Sequence, residues 1–287
     1  MDKNKVITVQ GWCRPDLIDA TLSGLERCWG VEDYHIYISI DGGPKVNQDI
    51  REQIYDRIKS SPLVDKIKYD FLKNNLGCAG HTHWNLKKGF EYGGDFVIHL
   101  EDDTVPNRDF LRFMEWAQVN KDNFKKGTMA VACLTLGKDE PTKDDLPKTY
   151  YKERFGCHGW GMWSDFWEYA DPRWFGIHWS NTRDFSKPVP TGDKFLDIII
   201  KHPTGSWAWM ISSYLAYKWA NDVCGVDKPA TVFPEVSRIA NIGKAGTFQN
   251  PAGWEKTFGG MKNFADSVLP EEEIEISYTL PERDVIS

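Results

Sequence analysis

The stretch Phe96–Phe110, FVIHLEDDTVPNRDF, decides how the rest of the chain is read. It begins as an almost wholly apolar run, Phe96 to Leu100, the pattern of a strand buried on both faces of a parallel sheet. It then sets three carboxylates side by side, Glu101, Asp102 and Asp103, before Pro106 and a helical pattern. A buried strand that finishes in adjacent negative charges implies a positive partner. An acidic turn before a helix, whose N-terminal dipole favours Asp and Glu, produces the same letters. The βα rhythm around the stretch lowers the weight of that simpler reading.

Working outward, KVITVQ, YHIYISID, DKIKYDFL and TMAVACLTL also read as strands. Between them, RPDLIDATLSGLERC, NQDIREQIYDRIKS, GHTHWNLKKGFEYG and NRDFLRFMEWAQVN read as helices, the first with Leu17, Leu22 and Leu25 on one side. This alternation predicts an α/β fold with a doubly wound, mostly parallel sheet. In such sheets ligands bind beyond the carboxyl ends of the strands. The polar clusters there are Asp41-Gly42-Gly43, Asn74-Asn75-Leu76-Gly77 and Glu101-Asp102-Asp103.

After residue 137 the pattern changes. GKDEPTKDDLPK reads as an exposed loop, HGWGMWSDFWEYA as a turn and then a helix, and GSWAWMISSYLAYKWAND as a helix. PATVFPEVSRIANIG reads as one strand, and PEEEIEISYTLPERDVIS as an acidic tail that either wraps the domain or hangs loose. The expected division is therefore 1–137, 138–265 and 266–287.

Composition limits the function. At 287 residues, with 41% hydrophobic and 27% charged, the chain can bury a sizeable core. A net charge of −7 disfavours a nucleic-acid backbone as the main partner. Six cysteines without CxxC spacing fit reduced thiols, and the N-terminal MDKNKVITVQ runs directly into a strand pattern; both predict a cytoplasmic location with no signal peptide and no membrane span. Thirteen tryptophans suit either a large aromatic core or flat faces on which sugar rings or bases stack.

Adjacent residues at a strand end point to alternate sides, so the three carboxylates cannot all hold one ion directly. Hard oxygen ligands suit Mg²⁺ or Mn²⁺, which are usually completed by substrate phosphates and water. The expected cation therefore arrives with a diphosphate.

The segment 81–117, HTHWNLKKGFEYGGDFVIHLEDDTVPNRDFLRFMEWA, resembles the metal-binding segment of GT-A-fold glycosyltransferases. It looks most like the inverting N-acetylglucosaminyltransferases of the N-glycan and O-mannosyl pathways, and like related bacterial and viral glycosyltransferases. Further matches run in order through most of the chain: Arg14-Pro15, Asp41-Gly42, Asn75-Leu76-Gly77, Gly159-Trp160-Gly161, Glu235-Val236-Ser237-Arg238 and Gly243 to Gly246.

The resemblance implies a metal-dependent enzyme that moves a hexosyl, pentosyl or N-acetylhexosaminyl group from a nucleotide diphosphate sugar, by preference UDP-linked. The acceptor hydroxyl would lie on a glycan, a protein or a modified nucleobase. Residues 1–137 would carry nucleotide and metal, and 138–265 the acceptor side and a closing loop. Asp103 would be the direct ligand of Mn²⁺ or Mg²⁺, with Asp102 toward the ribose and Glu101 in support. Asp41 would meet uracil or ribose near Arg14, and Asn75 and Gly77 would border the nucleotide. Trp160 would belong to the donor-sugar and acceptor pocket, and Arg238 to the segment leading into the closing loop. Lys244, in GKAGT, is suited to sit as an added cation over the phosphates.

In the inverting relatives a Trp-Asp pair supplies the catalytic base. The corresponding stretch here is Trp207-Ala208-Trp209-Met210, without the carboxylate. Three alternatives are open: the base comes from Asp193 or Asp197 upstream, it comes from Asp165 or Glu168, or configuration is retained and no base is needed there. Ala208 also leaves room for a sugar- or nucleotide-binding module on a degenerate transferase fold. A nucleotidyltransferase is a further alternative, although GWCRPD lacks the Gly-rich basic loop such enzymes carry after the first strand. His81 and His83, two apart in a helix, are not expected to share a metal; His99 is expected in the core, and His158 either packs or meets donor phosphate or metal.

Overall fold

The computed structural model describes residues 5–136, 140–174, 215–245, 251–259 and 264–285. Its centre is an eight-stranded sheet of order β3-β2-β1-β4-β8-β6-β9-β7. The first four strands are Val6–Gly11 (β1), His35–Ile40 (β2), Ile67–Phe71 (β3) and Phe96–Glu101 (β4). They pair in parallel, with β1 between β2 and β4. Alternate residues feed different layers: Phe96, Ile98 and Leu100 join one core cluster, and Val97 joins the other.

Helices cover both faces, as the doubly wound reading requires. Pro15–Leu25 (α1), Gln48–Lys59 (α2) and Phe110–Val119 (α4) bury Ile18, Leu22, Leu25, Ile54, Ile58, Phe110, Phe113 and Met114 in the first cluster. Gly77–Glu91 (α3) and Ser164–Ala170 (α5) contribute Leu86, Phe166 and Trp167 to the second. Pro15 stands in the first turn of α1, where its missing N–H costs nothing. Asn47 caps α2 by accepting from the Ile50 N–H at 3.0 Å.

The sheet does not stop at residue 137. Thr128–Ala132 (β6) pairs in parallel with Ala230–Pro234 (β9), and Thr149–Lys152 (β7) lies antiparallel to β9. Between β4 and β6 runs the antiparallel Trp160–Trp163 (β8). The segment expected to be a turn leading into a helix is thus a central strand, and the helix begins only at Ser164. Gly161 faces the Phe96 ring so closely that an added Cβ would lie 2.1 Å from it.

The single strand expected over PATVFPEVSRIANIG is two. β9 ends at Pro234, and Ile239–Asn241 (β10) forms an antiparallel ribbon with Thr104–Pro106 (β5). The tail wraps the domain: Thr279 N–H donates to Pro147 O at 2.8 Å and Val285 N–H to Tyr151 O at 2.9 Å. Arg112 Nε reaches Glu273 at 2.7 Å. Of the tryptophans, Trp160, Trp163, Trp167, Trp174 and Trp219 are buried, which favours the aromatic core for these five. Among the described residues no helix is long and apolar enough to cross a membrane.

Candidate active site

The strand order reverses direction along the chain at β1, whose neighbours are β2 and β4. A crevice opens beyond the carboxyl ends at such a switch point. The residues leaving β1 and β4 there are Trp12 to Arg14 and the three carboxylates, and they meet.

Asp102 is buried and clamped. Arg14 grips both its oxygens, through Nη2 to Oδ1 and through Nε to Oδ2 at 3.1 Å, while the Trp12 N–H points at Oδ2 from 3.4 Å. Thr21 Oγ1 donates to the Asp102 carbonyl at 2.7 Å, fixing the turn against α1. Burial pushes the Asp102 carboxyl up to about 6 against the pull of Arg14. Glu101 accepts from Gln10 Nε2 at 3.0 Å, and its other oxygen lies 3.8 Å from His158 Nδ1. Burial first, then the neighbouring Asp103, pushes Glu101 up to about 8.

Asp103 is held more loosely. Arg14 Nη2 approaches Oδ2 at 3.4 Å and Asn241 Nδ2 approaches Oδ1 at 3.4 Å. Its backbone carbonyl accepts from the Ile242 N–H at 2.9 Å. Gly243 forms the wall: a Cβ there would fall 2.1 Å from Asp103 Oδ2. One guanidinium thus faces three carboxylates, and Asp103 accepts only two long contacts, both at 3.4 Å. Among the described residues no group of three or more His, Cys, Asp or Glu side chains could hold a metal alone. The donor set therefore fits a hard cation bound through Asp103 and completed by phosphate oxygens and water.

On the other side of β1, Asp41 organises the ends of β2 and β3. It accepts backbone N–H bonds from Gly42 at 2.9 Å, Leu76 at 2.8 Å and Gly77 at 3.1 Å. Burial still raises its carboxyl pKa, the three N–H donors acting the other way. Asn75 donates to Gly42 O at 3.2 Å and accepts from Gly77 N–H at 2.9 Å, and Gly77 adopts φ +70° beside open space. The Trp12 indole N–H shares the Gly42 carbonyl at 3.2 Å, with the Lys45 ammonium 5.0 Å from its ring.

Arg14, Asp41, Asn75, Gly77, Asp102 and Asp103 thus lie along one edge of the sheet. Lys244 is at the same edge, its ammonium 5.0 Å from the Trp254 ring, and Arg14 Nη1 donates to the Ala245 carbonyl at 3.2 Å.

Two expected site residues are placed elsewhere. Trp160 is fully buried, with its ring centroid 4.7 Å from Phe155 and 5.2 Å from His99, so it offers no face to a sugar. Arg238 is also fully buried; its Nε lies 2.7 Å from Asp109 Oδ2, and Nη1 donates to Val236 O at 2.6 Å. Its charge is consumed inside the fold, where Tyr278 also donates to Asp109 at 3.1 Å. Asp165 and Glu168 are on α5, which starts beside Phe96 at the opposite end of β4, far from the carboxylates. Asp193, Asp197 and the Trp207-to-Met210 stretch lie outside the described residues.

His81 contacts Ser39, His83 pairs with Asp171 at 2.7 Å and His99 meets Thr8 in the core, so these three stay apart from the site. No role follows from the sequence for Gln10, Trp12, Asn241 or Trp254, although Asn241 opens an Asn-Ile-Gly motif shared with the glycosyltransferases the chain resembles. For Asn241 a signal existed: a polar residue two before a glycine at the end of an apolar strand.

No protein-family model matches the chain, and no curated protein does. Among solved structures it is similar to the mannosyltransferase PcManGT from Pyrobaculum calidifontis in complex with GDP-Man and Mn²⁺, at 13% identity and TM-score 0.42, over 58% of this chain and 46% of that one. It is also similar to S. aureus TarS 1-349 in complex with UDP-GlcNAc, at 15% identity and TM-score 0.36, over 51% and 39% of the two chains. A third, S. aureus TarS, gives 12% identity and TM-score 0.39, over 69% and 33%. The chain spans less than half the length of each. The likeness is partial, and the strand order and site geometry stand independently of it.

Proposed function

We propose that the chain is a metal-dependent glycosyltransferase of the GT-A type, acting in the cytoplasm on a nucleotide diphosphate sugar, UDP-linked by preference. The acceptor is a hydroxyl on a glycan, a protein or a modified base. The observation that carries this reading is the position of Asp103: it leaves β4 at the switch point, loosely held, across from the Asp41 loop. The nucleoside lies over the Asp41–Gly77 loops and the diphosphate over Asp103, within reach of Arg14 and Lys244. A divalent cation bound there screens the charge that develops on the departing diphosphate. Arg14 keeps Asp102 from competing for the ion, and the Asp41 bonds keep the loops under the base fixed.

Calorimetry of UDP and GDP binding with and without Mn²⁺, on the parent and on Asp103→Asn, tests the reading. The parent is expected to bind one of the two nucleotides at least about ten-fold more tightly with metal, and the variant to lose that gain. Binding of neither nucleotide under any condition would sink it. Metal-dependent nucleotide binding without sugar transfer to any acceptor would return the chain to the binding-module class.

A further inference from the structure

Asn241 ends β10 opposite Thr104, so across the ribbon it neighbours the residue that follows Asp103. Its Oδ1 accepts from the Gly243 backbone N–H at 3.1 Å and from the Trp254 indole N–H at 3.1 Å. Neither group can do anything but donate, so the amide oxygen must face them. The Nδ2 is thereby turned toward Asp103 Oδ1 at 3.4 Å and His158 Nδ1 at 3.5 Å. A flipped amide would set its NH₂ against two donors and its oxygen against a carboxylate. One orientation of the side chain survives, and Trp254 and Gly243 select it.

The same amide then steers Asp103 from one side while Arg14 approaches the other oxygen at 3.4 Å. Both contacts are long for charge-assisted hydrogen bonds, which run to about 2.9 Å. They orient the carboxylate without using it up. Trp254 belongs to the segment 251–259, whose Phe258 ring stands edge-on to His158 at 5.9 Å. A segment remote in sequence is therefore tied to the Asp103 carboxylate through one amide.

We propose that Asn241 is a positioning residue that aims Asp103 at the metal, and that the Trp254 indole N–H sets metal affinity by locking the Asn241 amide. The inference rests on the metal–nucleotide reading above. Groups that orient a metal ligand typically change affinity by about ten- to a hundred-fold when removed.

The experiment is a Mn²⁺ titration of UDP binding, or GDP binding if that nucleotide is preferred, for the parent, Asn241→Ala and Trp254→Phe. The second variant keeps an aromatic ring and deletes only the N–H, so it separates the hydrogen bond from packing. Both variants are expected to need about ten-fold more Mn²⁺ or higher for half-maximal binding, with metal-free nucleotide affinity and melting temperature matching the parent. If both keep the parent's Mn²⁺ midpoint, the inference is overturned while the metal–nucleotide reading stands. Equal loss of affinity with and without metal would also overturn it, since that marks a general structural effect. Absence of any metal-dependent nucleotide binding in the parent removes both together.

Discussion

A single methyl group at Gly243 would land 2.1 Å from Asp103 Oδ2, well inside van der Waals contact. Gly243→Ala must therefore displace either the Asp103 carboxylate or the backbone that follows Asn241. The expected outcome is a loss of about ten-fold or more in Mn²⁺-dependent nucleotide affinity, read by calorimetry, with far-ultraviolet circular dichroism unchanged. At this scale the sequence was legible where the chemistry is local. Three adjacent carboxylates at a strand end announce themselves as a cluster, and the structure gathers Asp102 and Asp103 around Arg14. Arg238 did not, because its partner Asp109 is 129 positions away in the chain and no local pattern distinguishes a buried pair from a phosphate ligand. Trp160 failed for the same reason, since a tryptophan between glycines looks alike in a pocket and in a core.

Among elements, β8 was the most central of those the sequence concealed. Trp160–Trp163 is four residues long, buried throughout, and contains a glycine, so it shows neither alternation nor β-branched enrichment. The four parallel units were legible because β1, β2 and β4 are largely apolar runs, β3 alternates apolar and charged residues, and each helix is a separate periodic segment. The β5–β10 ribbon, at three residues a side, was too short to show. Gly161 is the point at which β8 is most exacting, with the Phe96 ring filling the place of its side chain. Gly161→Ala is expected to cost about 1–3 kcal/mol through overpacking. Urea denaturation of this variant, of Phe96→Leu and of the double variant checks it. The double variant should be more stable than the sum of the two losses, and strict additivity would show that the ring is not the obstacle.

For the whole molecule, the buried ionisable groups give stability two opposed dependences on pH. Burial lowers His81 and His99 from an ordinary 6.5 to about 3. Each therefore adds stability that is fully present above pH 6.5 and is lost as pH falls toward 3. Glu101 and Asp102 have the reverse sign: raised from 4.5 to about 8 and from 3.8 to about 6, they add stability at low pH that is lost as pH rises through those values. Each group contributes a slope of about 1.4 kcal/mol per pH unit within its window. Urea midpoints between pH 4 and 8 are expected to decline above pH 6.5 in the parent and to lose that decline in Glu101→Gln. His99→Asn should retain the decline above pH 6.5 and, with one histidine fewer to oppose Glu101 and Asp102, show midpoints that rise as pH falls from 6 to 4.5. A parent whose midpoints rise from pH 6.5 to 8 would contradict the raised pKa of the half-buried Glu101.

The ribbon joining Thr104 to Asn241 also sets when the proposed cation site can be completed during synthesis. Chains emerge from the ribosome N-terminus first, and contacts distant in sequence form late. Residues up to Glu101 supply four parallel strands, and two more residues complete the trio of carboxylates, yet the wall at Gly243 and the amide that aims Asp103 are still to be translated. A nascent chain halted before that point carries the cluster without its far side. On the proposed reading the surroundings of Asp103 are complete only once the last third of the polypeptide has been made, and a truncated product would carry the three carboxylates without Asn241 and Gly243 beside them.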